Sequence, residues 1–197
     1  MTSAPPGPGA TPVASPPAAA PPRTRAERIR AYRWLLMLAA VMFLLDQATK
    51  AAIWASLPYP TYGPPGQITV IDGFFNIVHV GNTGAAWILF SGRSTFLALL
   101  AAGTLIAIFA WRRQLGLPLR TVQVSFGLLC GGIIGNLTDR IVHGHVIDFL
   151  DFHFGGYVFP TFNVADSCIC VGVAVYLLHS LRQPEAPSRR LDGLRRL

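Results

Sequence analysis

The chain has 197 residues, a length that suits one domain. Hydrophobic residues make up 52% of it and charged residues 13%, whereas soluble domains carry about 25% charged residues. This composition argues against an ordinary soluble protein and indicates a membrane protein. The formal net charge of +7 would suit nucleic-acid binding if the basic residues covered one surface, but they are confined to a few segments.

The first 22 residues are rich in proline and alanine. Such a segment has no apolar face to bury, so we expect it to be disordered. It lacks the basic region and apolar core of a signal peptide. We therefore predict a cytoplasmic tail over 1–33 that ends in a basic juxtamembrane segment, a four-span domain over 34–182, and a basic cytoplasmic tail over 183–197.

Four apolar segments follow the tail, at 34–57, 94–111, 121–138 and 164–181. Each approaches the roughly 20 residues that cross a hydrocarbon core about 30 Å thick. Asp46 and Lys50 interrupt the first segment, and Asp166 lies near the start of the last. The pattern predicts four transmembrane helices.

The basic residues predict the orientation of these helices. All of them except Lys50, Arg93 and Arg140 lie before the first segment, between the second and third, or after the fourth. Basic residues favour the cytoplasmic side, so both termini are predicted to be cytoplasmic. Because the charge is explained by topology, no nucleic-acid partner is expected.

Two segments, 58–93 and 141–163, then face outward. The first carries β-branched and aromatic residues with Gly73 and Gly81 as turn signals, which predicts short strands. The second is rich in aromatic residues, which suit the membrane interface, and we expect an interfacial loop or helix there. The predicted fold is thus an all-α membrane protein with four transmembrane helices, a small extracytoplasmic β element and this outer loop or helix.

Polar residues of three helices are predicted to meet near the outer membrane boundary. Polar side chains within a membrane usually turn inward and find one another. Asp46 and Lys50 are spaced i,i+4 with the acid first, which favours a helical ion pair. Asn136, Asp139 and Arg140 lie at the end of the third segment, and Asp148 lies before the fourth. Asn163 and Asp166 lie at the start of the fourth.

Three interpretations of this cluster remain open from the residues alone. Asp46, Lys50, Asp139 and Arg140 could be structural ion pairs that fix helix packing, or a chain of such groups could serve a proton- or ion-coupled transporter. Asp148 and Asp166 have no obvious cationic partner. Two close carboxylates share a proton, so the ionised one can activate water while the neutral one polarises a carbonyl. This third interpretation is aspartic proteolysis.

Five motifs connect the sequence with a known family. They are DQATK (46–50), NTGAAW (82–87), GGIIGNLTDR (131–140), VIDFLDF (146–152) and FPTFNVADS (159–167). In their order and spacing the chain resembles bacterial lipoprotein signal peptidase, also called signal peptidase II. The resemblance covers about residues 34–182. It departs from the family pattern at Trp87, where phenylalanine is usual, and in the Pro/Ala-rich tail.

The resemblance implies an aspartic endopeptidase of the bacterial inner membrane that is sensitive to globomycin. Its substrates would be prolipoproteins, cut just before a diacylglyceryl-modified cysteine at the outer membrane face. Asp148 and Asp166 match the catalytic aspartates. The matching supporting residues are Asp46, Lys50, Asn82, Gly132, Asn136, Arg140, Val146, Asn163 and Ala165, to which we add Asp139 from its place on the same helix face.

Further expectations concern ligands and partners. Donor chemistry suggests that Asn82 and Arg140 hold backbone or lipid-carbonyl oxygens. No cofactor or metal is expected, since His143, His145 and His153 are irregularly spaced. Membrane lipid is the other expected partner, and we expect a monomer.

Overall fold

The computed structural model describes residues 24–85 and 89–182. Most of the predicted tails and Trp87 lie outside the described residues. The described part contains five helices and four strands. They are α1 (Arg25–Ala31), α2 (Arg33–Ser56), β1 (Ile68–Ile71), β2 (Phe75–Asn82), α3 (Ser94–Ala110), α4 (Arg120–Val142), β3 (Val146–Phe154), β4 (Tyr157–Val158) and α5 (Val164–Leu181).

The four long helices occupy the four apolar segments that the sequence predicted. Helices α2, α4 and α5 are long and apolar enough to cross a membrane, and α3 is a shorter apolar helix of 17 residues. Part of the predicted N-terminal tail is also helical. Thr24 accepts a hydrogen bond from the Glu27 amide, and Glu27 accepts one from the Thr24 amide, which forms a capping box for α1.

The surface of the helices is more apolar than their interior. The side chain of Leu99 on α3 is 69% exposed, whereas that of Lys50 on α2 is 2% exposed. A soluble protein would place these residues the other way round. Such an apolar surface is favourable in contact with lipid. Lipid offers no hydrogen bonds, so polar groups such as Lys50 must find their partners inside the protein.

Glycines on α4 allow close helix packing. A Cβ at Gly131 would lie 2.8 Å from the Ala39 carbonyl oxygen of α2, and one at Gly127 would lie 2.9 Å from the Leu38 Cβ. On α5, a Cβ at Gly172 would lie 2.7 Å from the Ser125 carbonyl oxygen of α4. Small residues at these spacings let helix backbones approach within a membrane, so α4 packs closely against both α2 and α5.

The strands form one antiparallel sheet in the order β1-β2-β3-β4. The turn at Gly73 has a positive φ of 69° and joins β1 to β2. Gly81, predicted as a turn, lies inside β2 instead and pairs with Ile147. A side chain there would collide with the Tyr59 hydroxyl and the His145 ring, so this glycine serves packing.

The prediction of a loop or helix over 141–163 is wrong for the residues that form β3 and β4. Residues 146–154 form β3, which pairs with β2 and places Asp148 opposite Val80. The aromatic residues suggested a membrane interface, but they also have high strand propensity. Pairing with β2 satisfies the backbone hydrogen bonds and gives Asp148 a fixed position in a sheet.

Candidate functional site

The buried centre of the site is an ion-pair group on α2 and α4. The Lys50 ammonium lies 2.8 Å from Asp46 Oδ2 and 2.8 Å from Asp139 Oδ2. All three residues are at most 2% exposed. The predicted Asp46–Lys50 pair is confirmed. Asp139, also considered for a structural ion pair, pairs with Lys50 and accepts a hydrogen bond from the Ile147 amide at 3.1 Å.

Asn136 connects this ion-pair group to Asp166. Its Oδ1 accepts a hydrogen bond from Lys50 Nζ at 2.9 Å. Its Nδ2 donates to Asp166 Oδ1 at 2.7 Å. The predicted common face of α4 therefore brings Asn136 and Asp139 to the same lysine, while Asn136 also reaches the start of α5.

Asn163 lies between the two candidate catalytic carboxyls. Its Nδ2 donates to Asp148 Oδ1 at 2.7 Å, and its backbone N–H donates to Asp166 Oδ2 at 3.2 Å. Its Oδ1 accepts from the Asp166 amide at 2.9 Å, so Asn163 and Asp166 form a capping box at the start of α5. The i,i+3 spacing of these two residues thus has a local structural cause as well as a role in the site.

Asp148 is buried in β3 and receives two side-chain hydrogen bonds. Asn163 donates to one carboxyl oxygen, and Asn82 Nδ2 donates to the other at 3.0 Å. The pKa of Asp148 is raised to about 7, first because the carboxyl is buried and second because the negative charge of Asp166 lies nearby. The hydrogen bonds from Asn82 and Asn163 oppose this rise. Asp148 therefore holds a proton to a much higher pH than an exposed aspartate.

Ala165 and Gly132 fix the start of α5 against its neighbours. The Ala165 amide donates to Asp46 Oδ1 at 2.9 Å, and Ala165 is fully buried. A Cβ at Gly132 would collide with the Ala165 carbonyl oxygen. Val146 is buried and pairs with Asn82 at the beginning of β3. These contacts determine where Asp148 and Asp166 lie relative to each other.

Arg140 lies at the edge of the site, where no carboxylate of the described residues forms a hydrogen bond with it. Its guanidinium donates to the Gly84 carbonyl at 2.8 Å, and its Nε is buried with no hydrogen-bond partner among the described residues. Asn82 Oδ1 accepts from the Gly84 amide at 2.9 Å. Asn82 and Arg140 therefore both hold the backbone at Gly84, which was not predicted from the sequence.

Two residues of the site were not singled out from the sequence. Gln47 Nε2 donates to Asp139 Oδ1 at 3.0 Å and to Asp46 Oδ2 at 3.2 Å. Gly135 lies against Asp46, where a Cβ would collide with the carboxylate. Gly131 and Gly135 are spaced as in GxxxG, the helix-packing signal that would have indicated this close approach.

Two acidic groups within one hydrogen-bonded network can perform general acid–base chemistry. Because like charges repel, the pair favours a state with one proton, in which one carboxyl is an acid and the other a base. Among the residues that the structure describes, no group of three or more His, Cys, Asp or Glu side chains is arranged to hold a metal ion.

The comparisons with known proteins agree on one family. The family model described as signal peptidase (SPase) II matches residues 38–182. The lipoprotein signal peptidase of Azoarcus sp. (strain BH72) is 40% identical over 168 residues, which cover 80% of this chain and 89% of the relative. That of Aeromonas hydrophila is 40% identical over 154 residues, 76% of this chain and 89% of the relative.

Solved structures lead to the same group. A structure described as a bacterial membrane enzyme matches with a TM-score of 0.67 and 32% identity, covering 77% of this chain and 92% of that one. A second of the same description has a TM-score of 0.64 and 33% identity, covering 76% and 94%. With the family model spanning most of the chain and the hydrogen-bonded aspartates in place, the chain belongs to the signal peptidase II family.

Proposed function

We propose that this chain removes the signal peptide from diacylglyceryl-modified prolipoproteins, with Asp148 and Asp166 as its catalytic residues. The chain is a protease by family. The observation that carries the proposal is the position of Asn163, which donates one hydrogen bond to each of the two carboxyls. One residue thus holds both aspartates, from β3 and from α5, at a single site.

The proposed reaction uses water as the nucleophile. Ionised Asp166 takes a proton from water, whose oxygen attacks the carbonyl carbon of the scissile peptide bond. Protonated Asp148 donates a hydrogen bond and then its proton to the carbonyl oxygen. The carbon–nitrogen bond of the tetrahedral intermediate then breaks, and Asp166 gives the leaving amine the proton that it took from water. Asp148 takes back the proton from the hydroxyl group that it had protonated, and the new carboxyl group forms. We assign the acid to Asp148 because its pKa lies near 7.

We further propose that α2, α3, α4 and α5 all span the cytoplasmic membrane, with both termini in the cytoplasm. The basic residues support this orientation. Asp166 is in the first turn of α5, and Asp139 is in the last turn of α4. The site therefore lies at the helix ends next to the sheet, which this topology puts near the outer face.

A site at this depth suits a lipidated substrate. The lipid chains of the modified cysteine would lie against the apolar surface of the helices, while the peptide reaches the sheet end. Arg140 has one buried N–H that no described residue accepts, and Asn82 contacts Asp148 directly. These are the donors that we propose for substrate carbonyl oxygens. The comparisons identify a peptidase family and give no support to the transporter alternative.

The test is cleavage of a diacylglyceryl-modified prolipoprotein by purified protein in detergent, followed by gel shift. An unlipidated copy of the substrate is the substrate control. Asp148→Asn and Asp166→Asn are each expected to lower the rate by at least roughly 1,000-fold. Asp72→Asn is the matched variant control, since Asp72 is an exposed aspartate in the β1–β2 turn, and it should cleave like the wild type.

Either of two results would contradict the proposal. One is unchanged cleavage by a folded Asp148→Asn or Asp166→Asn variant, which would show that the substituted aspartate is not catalytic. The other is equal cleavage of lipidated and unlipidated substrate, which would show that the enzyme does not require the lipid.

A further inference from the structure

The Lys50 ammonium has a full set of acceptors, one of which is not an acid. Its three protons face Asp46 Oδ2 at 2.8 Å, Asp139 Oδ2 at 2.8 Å and Asn136 Oδ1 at 2.9 Å. An ammonium group has three donors and no acceptor. The two acidic partners accept two of these donors, and the third is directed at the neutral amide of Asn136.

This contact determines which way the Asn136 amide points. Its Oδ1 receives Lys50 Nζ and also Asn163 Nδ2 at 3.2 Å, which uses both lone pairs of the oxygen. A rotated amide would turn its NH₂ group toward the ammonium and toward the Asn163 amide, donor against donor. The same rotation would turn its oxygen toward the Asp166 carboxyl.

Lys50 and Asn163 together favour the orientation of the Asn136 amide that serves Asp166. With Oδ1 held by the ammonium, Asn136 Nδ2 donates to Asp166 Oδ1 at 2.7 Å. The ammonium also polarises the amide, which strengthens the N–H as a donor within a site shielded from water. Lys50 itself makes no hydrogen bond to Asp148 or to Asp166.

We propose that Lys50 is a positioning residue for catalysis, which acts on Asp166 through the amide of Asn136. Its ion pairs with Asp46 and Asp139 hold the ammonium at the place where it favours this orientation. The inference rests on the proposed function, because it assigns Lys50 a role in preparing the Asp166 carboxyl for the attack of water.

A double-mutant cycle between Lys50 and Asn136 tests the inference. Lys50→Met removes the ammonium and keeps an apolar chain of similar length. Because a hydrogen bond to a charged group is lost or misaligned, kcat should fall roughly 10- to 100-fold with little change in KM. In the Asn136→Ala background, Lys50→Met should lower kcat much less, because only the through-space effect of the ammonium charge on Asp148 and Asp166 remains.

Thr49→Val is the matched control on the same helix. The Thr49 hydroxyl donates to the backbone carbonyls of Leu45 and Asp46 on its own helix, and no hydrogen bond joins it to Asn136. We expect kcat in this variant to stay within about threefold of wild type. In Lys50→Met, but not in Thr49→Val, the acidic limb of the kcat–pH profile should move to higher pH, because a poorly aligned donor stabilises the ionised base less.

Loss of a buried cation can prevent folding, since two carboxylates are left unpaired. The cycle is therefore repeated with Lys50→Met combined with Asp46→Asn and Asp139→Asn, which leaves no unpaired charge in the group. Thermal unfolding in detergent confirms that each protein is folded. We expect a loss of kcat of similar size in this triple variant, and adding Asn136→Ala should change its kcat little.

The results separate the inference from the proposed function. If the wild type fails to cleave the lipidated substrate, the proposed function is wrong. If the wild type cleaves and a folded variant without the Lys50 ammonium keeps its kcat, only the inference is overturned. Effects of Lys50→Met and Asn136→Ala that multiply independently would also overturn it.

Discussion

Gly132 provides the sharpest test of how the helices assemble the site. In Gly132→Ala the added Cβ would collide with the Ala165 carbonyl oxygen and lie 2.9 Å from Ile169 Cγ1. The oxygen belongs to the α5 backbone and cannot turn away as a flexible side chain can. Helix α5 must therefore shift away from α4, at a cost of about 1–3 kcal/mol in unfolding free energy.

The same shift should affect catalysis. Asp166 directly follows Ala165, and its partner Asn136 is one turn beyond Gly132 on α4. A displacement near 1 Å at a catalytic group can lower the rate by roughly 100-fold. We therefore expect Gly132→Ala to lose both stability and kcat.

Gly103→Ala on α3 is the matched control. A Cβ at Gly103 meets nothing within 4 Å, so the substitution should be neutral or stabilising by up to about 1 kcal/mol. Denaturation in detergent measures stability, and cleavage per folded molecule measures the site. Wild-type stability in Gly132→Ala would refute the packing argument. Lowered stability with full activity per folded molecule would refute the link between packing and catalysis.

Three further predictions follow. Protonated Asp148 acts as the acid and its pKa is about 7, so kcat should fall as pH rises through 7, by about tenfold for each pH unit above 8. A flat kcat–pH profile between pH 6 and 9 would contradict this assignment. Asn82→Ala removes a hydrogen bond that opposes the rise in the Asp148 pKa, so the alkaline limb should move to higher pH; a limb at lower pH would show that the hydrogen bond does not favour the ionised form. Deletion of residues 1–22 should leave cleavage and membrane insertion unchanged, as their composition suggests a passive tail; loss of either in a membrane-fraction assay would assign the tail a function.

Much of the fold was accessible from local patterns. Long apolar runs predicted all four long helices, because residue type and run length can be read without knowing which parts of the chain lie nearby. The Asp46–Lys50 pair was also predictable, since i,i+4 residues meet on any helix. The motif resemblance singled out Asp148 and Asp166 as candidates before any geometry was known.

The predictions that were wrong depended on distant partners. The segment that became β3 has aromatic residues that suit an interface or a strand equally well, and only pairing with β2 decides between them. Arg140 was one of four residues considered for structural ion pairs. Its guanidinium instead reaches the Gly84 carbonyl of a remote loop, a contact that residue type and spacing do not indicate.

The sequence by itself determined which groups are available, where the helices lie and which family the chain resembles, because these follow from residue type and short-range spacing. Only the tertiary structure decided the contacts between the helices and the sheet. Lys50 of α2 serves Asp139 and Asn136 of α4, and Asn163 holds Asp148 of β3 beside Asp166 of α5. These contacts depend on how closely the helices pack at Gly132 and Gly135, and helical periodicity carries no information about the distance between helices.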